Sequence, residues 1–446
     1  MKQLRVLLLL QLLVLGIVSC SPGHLGSNLI AFVRDGQLWT IDPNGANAFA
    51  IVNESTPVIS YSWSPTHQLL SFRTLDAEFA QTSEAKHLPI NSITGIPSDI
   101  PSTLNTLGVD GGTPISIVFS DPTIRSSHPI WNASGTRLMY RQTGQMPPAR
   151  LDGALWWVAQ NDQPAGIAAK ALPGSYTIPS LSYDNNNPMA IGNSNKGLFT
   201  TTLAGTNLRY LSHEPLAGHP LPASLERVLW QPAHQNPTLL YAITTTQQAS
   251  NTAPFTVQLM QRSMENEQAI PLTSCACTQF AWSPDGNHII YSTGTTYTIL
   301  SLKDNMSFKI EGEENSVPYW SPDSQFLLLD GLHQLILVKN QQQQQSTLLN
   351  DTSSAQAPLG STAPTLPLTN ALLQPAPNNI WSADSRHFLF LTRNRLLWQG
   401  KQLNKGLYTI SIDASGQPQS SPVLVDGGND TQAGWTYQDA NTSFLF

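Results

Sequence analysis

A short segment that begins with tryptophan recurs along the chain and limits the folds that the chain can adopt. The clearest copy, WSPDGNHIIYS at 282–292, joins a large apolar ring, a tight polar turn and an apolar run. The copies begin at Trp63, Trp131, Trp230, Trp282, Trp320, Trp381 and Trp435, and a weaker copy has Leu181 in the tryptophan position. Neighbouring copies are 38 to 68 residues apart. Such spacing indicates that one supersecondary unit is repeated along the chain.

Each unit contains further strand patterns between the tryptophan segments. Examples are GQLWTIDPNG at 36–45, GALWWVAQND at 153–162, KGLFTTTLAG at 196–205 and GLYTISIDASG at 406–416. Apolar residues alternate or run for a few positions and are bounded by Gly, Pro, Asn and Asp, as in strands joined by turns. The 33 prolines and 29 glycines fit many turns and disfavour a helical protein. The sequence therefore predicts an all-β fold, a β-propeller with four-stranded blades.

The two ends of the chain predict the number of blades. Residues 29–53 contain three strand patterns without an opening tryptophan segment, whereas the segment at Trp435 stands alone near the C-terminus. Pairing of the terminal strands would complete a blade and cover two sheet edges that otherwise invite aggregation. We therefore expect eight blades, or seven if the copy at Leu181 is not a blade.

Two stretches lengthen the repeat, one near 76–112 and one near 341–377. The second begins with a run of glutamines and continues with Pro, Ala and Thr, which is typical of a flexible surface excursion. Long loops on rigid scaffolds often bind ligands, so each stretch is either a tolerated insertion or part of a binding mouth.

The residues of the tryptophan segment fit architectural roles. Pro284 fixes φ at the first corner of a tight turn, and Gly286 allows a positive φ after it. Asp285 can accept hydrogen bonds from amides of the same turn, and Trp282 offers a large apolar surface that can wedge between neighbouring sheets. The segment is therefore interpreted as structure rather than as an active site.

The first twenty residues, MKQLRVLLLLQLLVLGIVSC, form a different kind of segment. Lys2 and Arg5 precede an apolar run, Val6–Val18, that is too short to span a bilayer comfortably and fits a signal peptide. Residues 17–20, Ile-Val-Ser-Cys, resemble the lipobox of bacterial lipoproteins, which implies cleavage before Cys20 and lipidation of its thiol. The alternative is an ordinary secretory signal. The expected organisation is a signal peptide at 1–19, a lipidated tether at 20–28 and one propeller domain at 29–446.

The Trp-Ser-Pro-Asp-Gly segments resemble those of TolB-like β-propellers, which are related to Trp-Asp repeat proteins. The resemblance is specific at Trp282 and Trp320, good at Trp63 and Trp381, and weaker at the other copies. It implies an exported propeller in the bacterial cell envelope whose first-choice partner is a protein. The additional N-terminal domain of TolB has no counterpart here, since the first strand pattern begins near Leu29.

Sequence motifs for catalysis or metal binding are weak. GNSNKG at 192–197 has the wrong spacing for the nucleophile elbow of a serine hydrolase, and HExxH is missing. The ten histidines are scattered, as His213 and His219 illustrate. Cys275 and Cys277 form a strained disulfide, remain buried thiols or belong to a metal site that lacks two further ligands. We therefore predict no catalytic, cofactor-binding or metal-binding residues, and Cys20 as the lipidation site.

Charge and composition narrow the expected partners. The formal net charge is −7 and no basic run is present, which disfavours nucleic-acid binding. Membrane contact is expected only through the N-terminal lipid. The leading hypothesis is a non-catalytic binding or scaffold module for a protein, peptide or glycan. The alternative is an envelope or extracellular enzyme, a lyase or glycosidase, with its site in the propeller channel; with only 11% charged residues, a catalytic cluster is less expected.

Overall fold

A computed structural model gives the fold of most of the chain. It describes residues 29–436, with gaps at 53, 65–68, 89–98, 109–111, 133–134, 147–150, 161–169, 173–179, 182–188, 195–196, 203–206, 212–224, 226–227, 233–237, 245–255, 265–267, 341–343, 351–370, 375 and 377–378. The signal peptide, the tether and Cys20 lie outside the described residues.

The described residues are almost entirely β-structure, and two 3₁₀ helices, Phe79–Gln81 and Ala85–His87, are short. In chain order the first strands are β1 (Ile30–Arg34), β2 (Gln37–Ile41), β3 (Phe49–Val52), β4 (Val58–Trp63), β5 (Leu69–Leu75), β6 (Ser102–Gly108), β7 (Ile115–Val118), β8 (Ile124–Ser126), β9 (Ile130–Trp131), β10 (Arg137–Met146), β11 (Leu151–Gln160), β12 (Lys170–Leu172), β13 (Ser180–Leu181), β14 (Met189–Ser194), β15 (Gly197–Thr202) and β16 (Arg209–Tyr210).

The second half of the chain continues the same pattern. Its strands are β17 (Val228–Trp230), β18 (Thr238–Thr244), β19 (Val257–Ser263), β20 (Ala269–Cys275), β21 (Gln279–Trp282), β22 (His288–Thr293), β23 (Thr296–Ser301), β24 (Ser307–Glu311), β25 (Val317–Trp320), β26 (Phe326–Asp330), β27 (Gln334–Lys339), β28 (Gln344–Asn350), β29 (Leu373–Gln374), β30 (His387–Thr392), β31 (Leu396–Trp398), β32 (Lys401–Leu403), β33 (Gly406–Ser411), β34 (Val423–Asp426) and β35 (Asp430–Trp435).

Within the described ranges these strands form eight antiparallel sheets and a separate hairpin. Sheet 1 has the order β3-β2-β1-β35, and sheet 2 has the order β4-β5-β6-β7. Sheet 3 contains β8 to β12, with β8 and β9 both paired to β10. Sheets 4 to 7 use four consecutive strands each, from β13 to β28. Sheet 8 has the order β29-β30-β33-β34, and β31 pairs with β32. The all-β prediction is confirmed.

Burial distinguishes the two edges of each sheet. Every residue of β21 and of β25, the first strands of sheets 6 and 7, is buried. The fourth strand of sheet 6, β24, instead alternates exposed positions with partly buried or buried ones. An edge strand that is buried on both faces must be covered by neighbouring sheets, so the first strands lie at the centre. The first strand β13 also contacts β9 and β17 of the adjacent sheets. The fold is a β-propeller, as predicted.

Tryptophan side chains connect successive sheets. The indole N–H of Trp381 donates to the carbonyl of Tyr319 at 3.0 Å. The indole N–H of Trp435 donates in the same way to Ile380 at 3.1 Å. In both pairs, the acceptor is the residue just before the tryptophan position of the preceding sheet. The prediction that these rings wedge between neighbouring sheets is borne out at these two positions.

The first and last described strands belong to one sheet. β1 pairs with β35 in an antiparallel register that places Ile30 opposite Trp435 and Arg34 opposite Asp430. The backbone N–H of Thr436 extends the pairing by donating to the carbonyl of Leu29 at 2.8 Å. Sheet 1 therefore combines strands from both ends of the sequence.

The two predicted insertions differ from their expected extents. Residues 102–108, within the first stretch, form β6, the third strand of sheet 2. Its polar sequence, STLNTLG, does not show the apolar pattern of a strand, because several of its polar side chains are themselves buried between sheets. Residues 344–350, within the second stretch, form β28, since the end of the glutamine run continues into an apolar Leu-Leu pair. The extra residues of the first stretch thus lie between β5 and β6.

Candidate functional site

Antiparallel pairing gives the propeller two distinct ends. In sheets 6 and 7, where the turn from the first to the second strand is fully described, it lies at the end where the first strand finishes at its tryptophan. We call this the Trp end. The turn from the second to the third strand, and the connection to the next sheet, lie at the opposite end, which we call the loop end. Leu29, which precedes the second strand of sheet 1, lies at the Trp end.

At the Trp end the described turns of sheets 6, 7 and 8 are closed by local hydrogen bonds. The Oγ of Ser321 donates to the Asp323 carboxylate at 2.6 Å and accepts from the backbone N–H of Phe326 at 2.9 Å. Ser382 repeats this pattern with Asp384 and the N–H of His387. Burial opposes ionisation of Asp384, but hydrogen bonds from Ser382 and the backbone of Arg386 lower its pKa. The serine and aspartate of the motif therefore hold the turn.

Neighbouring turns of the Trp end are also joined to each other. The backbone N–H of Asp285 donates to the Oγ of Ser324 in the next turn at 3.0 Å. The N–H of Asp323 donates to the Oγ of Ser385 at 3.1 Å. Ser324 and Ser385 both have a φ of 58°, and they replace the glycine of the motif, Gly286, whose φ is 66°. These serines accept an uncommon backbone conformation and link two turns.

The loop end carries ionisable groups that are enclosed by protein, and the first group lies where the two chain termini share a sheet. Arg34 donates from Nη2 to Asp426 at 2.5 Å, and its Nε lies 3.5 Å from Asp430. The Arg34 guanidinium also lies over the Trp39 ring, 4.8 Å from its centroid. Burial, together with the neighbouring Asp426 carboxyl and against the opposing effect of Arg34, raises the pKa of Asp430 to about 8. Asp430 is thus protonated at neutral pH beside an ion pair.

A second enclosed group lies between sheets 2 and 3. Arg73 is completely buried and donates to the Oγ of Ser102 and, at 2.6 Å, to the carbonyl of Ser126. Burial lowers the pKa of Arg73 to about 10, and Asp99 opposes that shift. Burial, with Arg73 nearby, lowers the pKa of His128 to about 3. Arg73 thereby fastens two sheets to each other and is closed to substrate.

A third enclosed group lies beside sheet 7. The ring Nδ1 of His333 lies 2.8 Å from one carboxylate oxygen of Glu313, and the other oxygen accepts from the His333 backbone N–H at 2.7 Å. Asp330 at the end of β26 is buried, and burial followed by repulsion from Glu313 raises the pKa of its carboxyl well above the ordinary value. The Glu313 carboxylate thereby caps the turn at 331–333.

The exposed polar surface of the loop end includes the hairpin of β31 and β32. It is inserted between β30 and β33, the second and third strands of sheet 8, so it projects from the loop end. Leu396, Trp398 and Leu403 belong to the hydrophobic core, and the Trp398 ring stacks on Phe390 with centroids 5.5 Å apart. Leu397 faces outward and is 67% exposed. The hairpin therefore has a fixed base and an accessible outer face.

The site residues considered from the sequence have different outcomes. Cys20, His213 and His219 lie outside the described residues. The Sγ atoms of Cys275 and Cys277 form a disulfide, with Cα atoms 5.0 Å apart. Within the described ranges, His, Cys, Asp and Glu side chains form no group of three or more suited to a metal ion. That part of the chain also contains no helix with the length and hydropathy needed to cross a membrane.

Sequence reasoning missed the enclosed charges, although a signal for some of them exists. Arg73 and Asp330 each follow the tryptophan of their unit by ten residues and lie within the last three residues of an apolar second strand. A charge at the end of a strand that is buried on both faces must find a partner from another element. The hairpin also has a signal, because an apolar run precedes the Gln399-Gly400 turn dipeptide and Leu403 follows it.

Comparisons with known proteins establish likeness of fold only. No protein-family model and no curated protein matches the chain. Among solved structures, a eukaryotic initiation factor is similar over 92% of this chain and 99% of its own, with 12% identity and a TM-score of 0.51. An oligogalacturonate lyase from Vibrio parahaemolyticus has 8% identity over 69% of this chain and 89% of its own, with a TM-score of 0.44. TolB from Acinetobacter baumannii has 10% identity over 95% and 70%, with a TM-score of 0.33.

Proposed function

We propose that the protein is a lipid-anchored, extracytoplasmic β-propeller that serves as a non-catalytic binding or scaffold module for a partner protein. The proposed domain spans 29–446, with the eight sheets as blades of one ring that the pairing of β1 with β35 closes. The N-terminal segment at 1–19 is its signal peptide, and Cys20 carries the lipid.

The observation that carries the binding role is the placement of charge at the loop end. A catalytic group must touch its substrate, whereas the groups with shifted pKa values there, Arg73, Asp330 and Asp430, are buried. Arg73 fastens two sheets through Ser102 and Ser126, and Asp430 lies beside Arg34. The accessible side chains at this end include the polar and apolar side chains of the hairpin, which can contact a macromolecule. This distribution favours a binding surface over a reaction site.

The position of Leu29 supports an orientation for the anchored protein. Residues 20–28 would join the lipid to the Trp end, and nine extended residues span at most about 30 Å. The Trp end would then face the membrane and the loop end would face the partner.

The anchor is tested by replacing Cys20 with alanine and fractionating cells. We expect Cys20→Ala to move the protein from membrane to soluble fractions, because a signal peptide alone leaves no covalent lipid. Ser21→Ala is the matched control and should stay with the membranes. Retention of Cys20→Ala in the membranes would contradict the lipidation proposal.

The binding role is tested by crosslinking the anchored protein in its native envelope and identifying what is recovered with it. We expect a defined protein partner whose recovery is reproducible and exceeds that with an unrelated lipoprotein. Recovery of none, together with cleavage of a polysaccharide by the purified protein, would instead establish a lyase or glycosidase.

A further inference from the structure

The hairpin lies in the most basic segment of an acidic chain. Residues 386–405 contain five of the chain's 22 lysines and arginines and no aspartate or glutamate, although the whole chain has a net charge of −7. The five are Arg386, Arg393, Arg395, Lys401 and Lys405. Arg395, Lys401 and Lys405 are exposed, and Lys405 is held at the base by a 2.6 Å hydrogen bond to Asn429. The hairpin and its base thus present three exposed basic side chains at the loop end.

The same hairpin presents an apolar side chain next to Arg395, while Lys401 pairs with Trp398 on the other face and is exposed beside the turn. Leu397 pairs across the hairpin with Gln402, and both lie on the exposed face, whereas the flanking pair of Leu396 and Leu403 is buried. The turn between the strands is tight, since Gln399 and Gly400 have φ values of 48° and 80°. Because the base of the hairpin is fixed, little conformational entropy should be lost when a partner covers Leu397.

Leu397 differs from the other exposed large apolar residues of the described chain. Those others lie on the fourth strands of the sheets or next to them: Phe49, Ile115, Phe119, Leu208, Ile270, Met306, Val423 and Leu424. Single exposed apolar residues are common and need no partner. Leu397 is distinguished because it stands at the loop end within a basic surface.

We infer that the β31–β32 hairpin is the docking element for an acidic segment of the partner protein, with Arg395 and Lys401 contacting carboxylates and Leu397 contacting an apolar side chain. This inference rests on the proposed binding function. Charge complementarity selects an anionic occupant. The tether at the Trp end turns the hairpin away from the protein's own membrane, which favours a protein over anionic lipid.

The test uses the detergent-solubilised full chain and a fluorescein-labelled peptide of Asp, Glu and Leu. The same peptide with Asn and Gln in place of the acids is the probe control. Binding is measured by fluorescence anisotropy at low and at physiological salt. We expect the acidic peptide alone to bind, and binding to weaken with salt because exposed charges are screened beyond about 8 Å at physiological ionic strength.

Matched variants locate the contact on the protein. Reversing two charges, Arg395→Glu with Lys401→Glu, should weaken binding about tenfold, on the order expected for two exposed ion pairs and the repulsion that replaces them. Lys303→Glu with Lys309→Glu is the control, because it changes the net charge by the same amount at two exposed positions far from the hairpin in sequence. It should leave the affinity within about twofold. Leu397→Ser should weaken binding several-fold, whereas Met306→Ser at another exposed apolar position should not.

Three outcomes would overturn the inference. Equal losses in the two charge-reversed pairs would show general electrostatic attraction without a site. Equal binding of the acidic and amide peptides, or binding of neither, would remove the stated chemistry. Binding of unlipidated Cys20→Ala protein to phosphatidylglycerol vesicles through Arg395 and Lys401, without binding of the acidic peptide, would make the occupant a membrane.

Failure of the hairpin and failure of the binding function give different results. A photo-crosslinker at position 397 in the native envelope should join the partner through an acidic segment, and a crosslinker at 306 should not. If a partner is recovered but joins elsewhere, the binding function stands and the hairpin inference fails. If no partner is recovered and polymer cleavage is found, the binding function itself fails.

Discussion

The Trp end and the loop end use polar residues in opposite ways. At the Trp end, Ser321 and Asp323 bond within their own turn, and Ser385 links that turn to the next. At the loop end, the partners are far apart in sequence: Arg34 and Asp426 are separated by 392 residues. One end repeats a local device from sheet to sheet, while the other is assembled from single, unrelated contacts. Repetition fixes the scaffold, and the unrepeated end is free to acquire a specific surface.

The protonation of aspartates follows the same division. Hydrogen bonds to the ionised form outweigh burial and lower the pKa of Asp384 at the Trp end. Burial and neighbouring carboxylates raise the pKa of Asp330 and of Asp430 at the loop end. Asp384 at the Trp end thus stabilises its turn as an anion, whereas Asp330 and Asp430 at the loop end are retained as neutral acids between strands.

The largest expected effect comes from removing a tryptophan that joins two sheets. Trp381 is buried, stacks on Phe326 with centroids 6.3 Å apart, and donates to Tyr319. Trp381→Ala should lower the free energy of unfolding by about 3–5 kcal/mol, as expected for a large buried aromatic residue. Urea denaturation followed by circular dichroism measures the change.

Trp398 provides the matched loop-end variant, since it is equally buried but belongs to the hairpin. We expect Trp398→Ala to loosen residues 396–403 in hydrogen exchange while the global transition changes less than in Trp381→Ala. Equal losses of global stability in the two variants would show that the hairpin tryptophan supports the whole fold as much as Trp381 does, which contradicts the proposed difference between the two ends.

The second prediction concerns the pH dependence of stability at Asp430. Its folded pKa of about 8 exceeds the ordinary value of 3.8, so its contribution to the free energy of unfolding is fully present below pH 3.8. As pH rises toward 8, the unfolded chain loses the proton while the folded chain retains it, and stability falls. Between pH 5 and 8 this loss should amount to about 2–4 kcal/mol. Urea denaturation across this range should show a flatter profile for Asp430→Asn.

Asp384 at the Trp end gives the opposite sign and serves as the control. Its pKa is lowered, so its contribution is present above the ordinary value and is lost on acidification. Asp384→Asn should therefore flatten only the acidic limb of the profile, below about pH 4. If Asp430→Asn leaves the profile between pH 5 and 8 unchanged, Asp430 is not retained as a neutral acid.

The Trp end could be predicted from sequence because its interactions are local. Pro284, Asp285 and Gly286 specify a turn through φ restriction, side-chain acceptance and a positive φ, all within a few residues. Strand alternation then predicted the all-β propeller. The Arg34 and Asp426 pair could not be found this way, since neither residue carries any local mark of a partner at the other end of the chain. Sequence alone also left open the state of Cys275 and Cys277.

The residues at the glycine position of the motif cannot be explained from the sequence of their own turn. Ser324 and Ser385 look like degraded copies of Gly286, yet each accepts a backbone hydrogen bond from the preceding turn. The replacement lies at a positive φ, which disfavours a side chain, but the hydroxyl adds a link that glycine lacks. Only the neighbouring turn, in another sheet, explains the substitution.

The smallest expected effect separates these two contributions at Ser385. Ser385→Ala removes the hydrogen bond from Asp323 but keeps a Cβ at positive φ, so it should cost about 1–2 kcal/mol in the free energy of unfolding. Ser385→Gly removes the same bond and also the steric cost, so its loss should be smaller by about 1 kcal/mol. Urea denaturation of both variants compares them directly. If Ser385→Ala is as stable as Ser385→Gly, the positive φ at residue 385 is not maintained, and sheet 8 does not share the repeated turn of the Trp end.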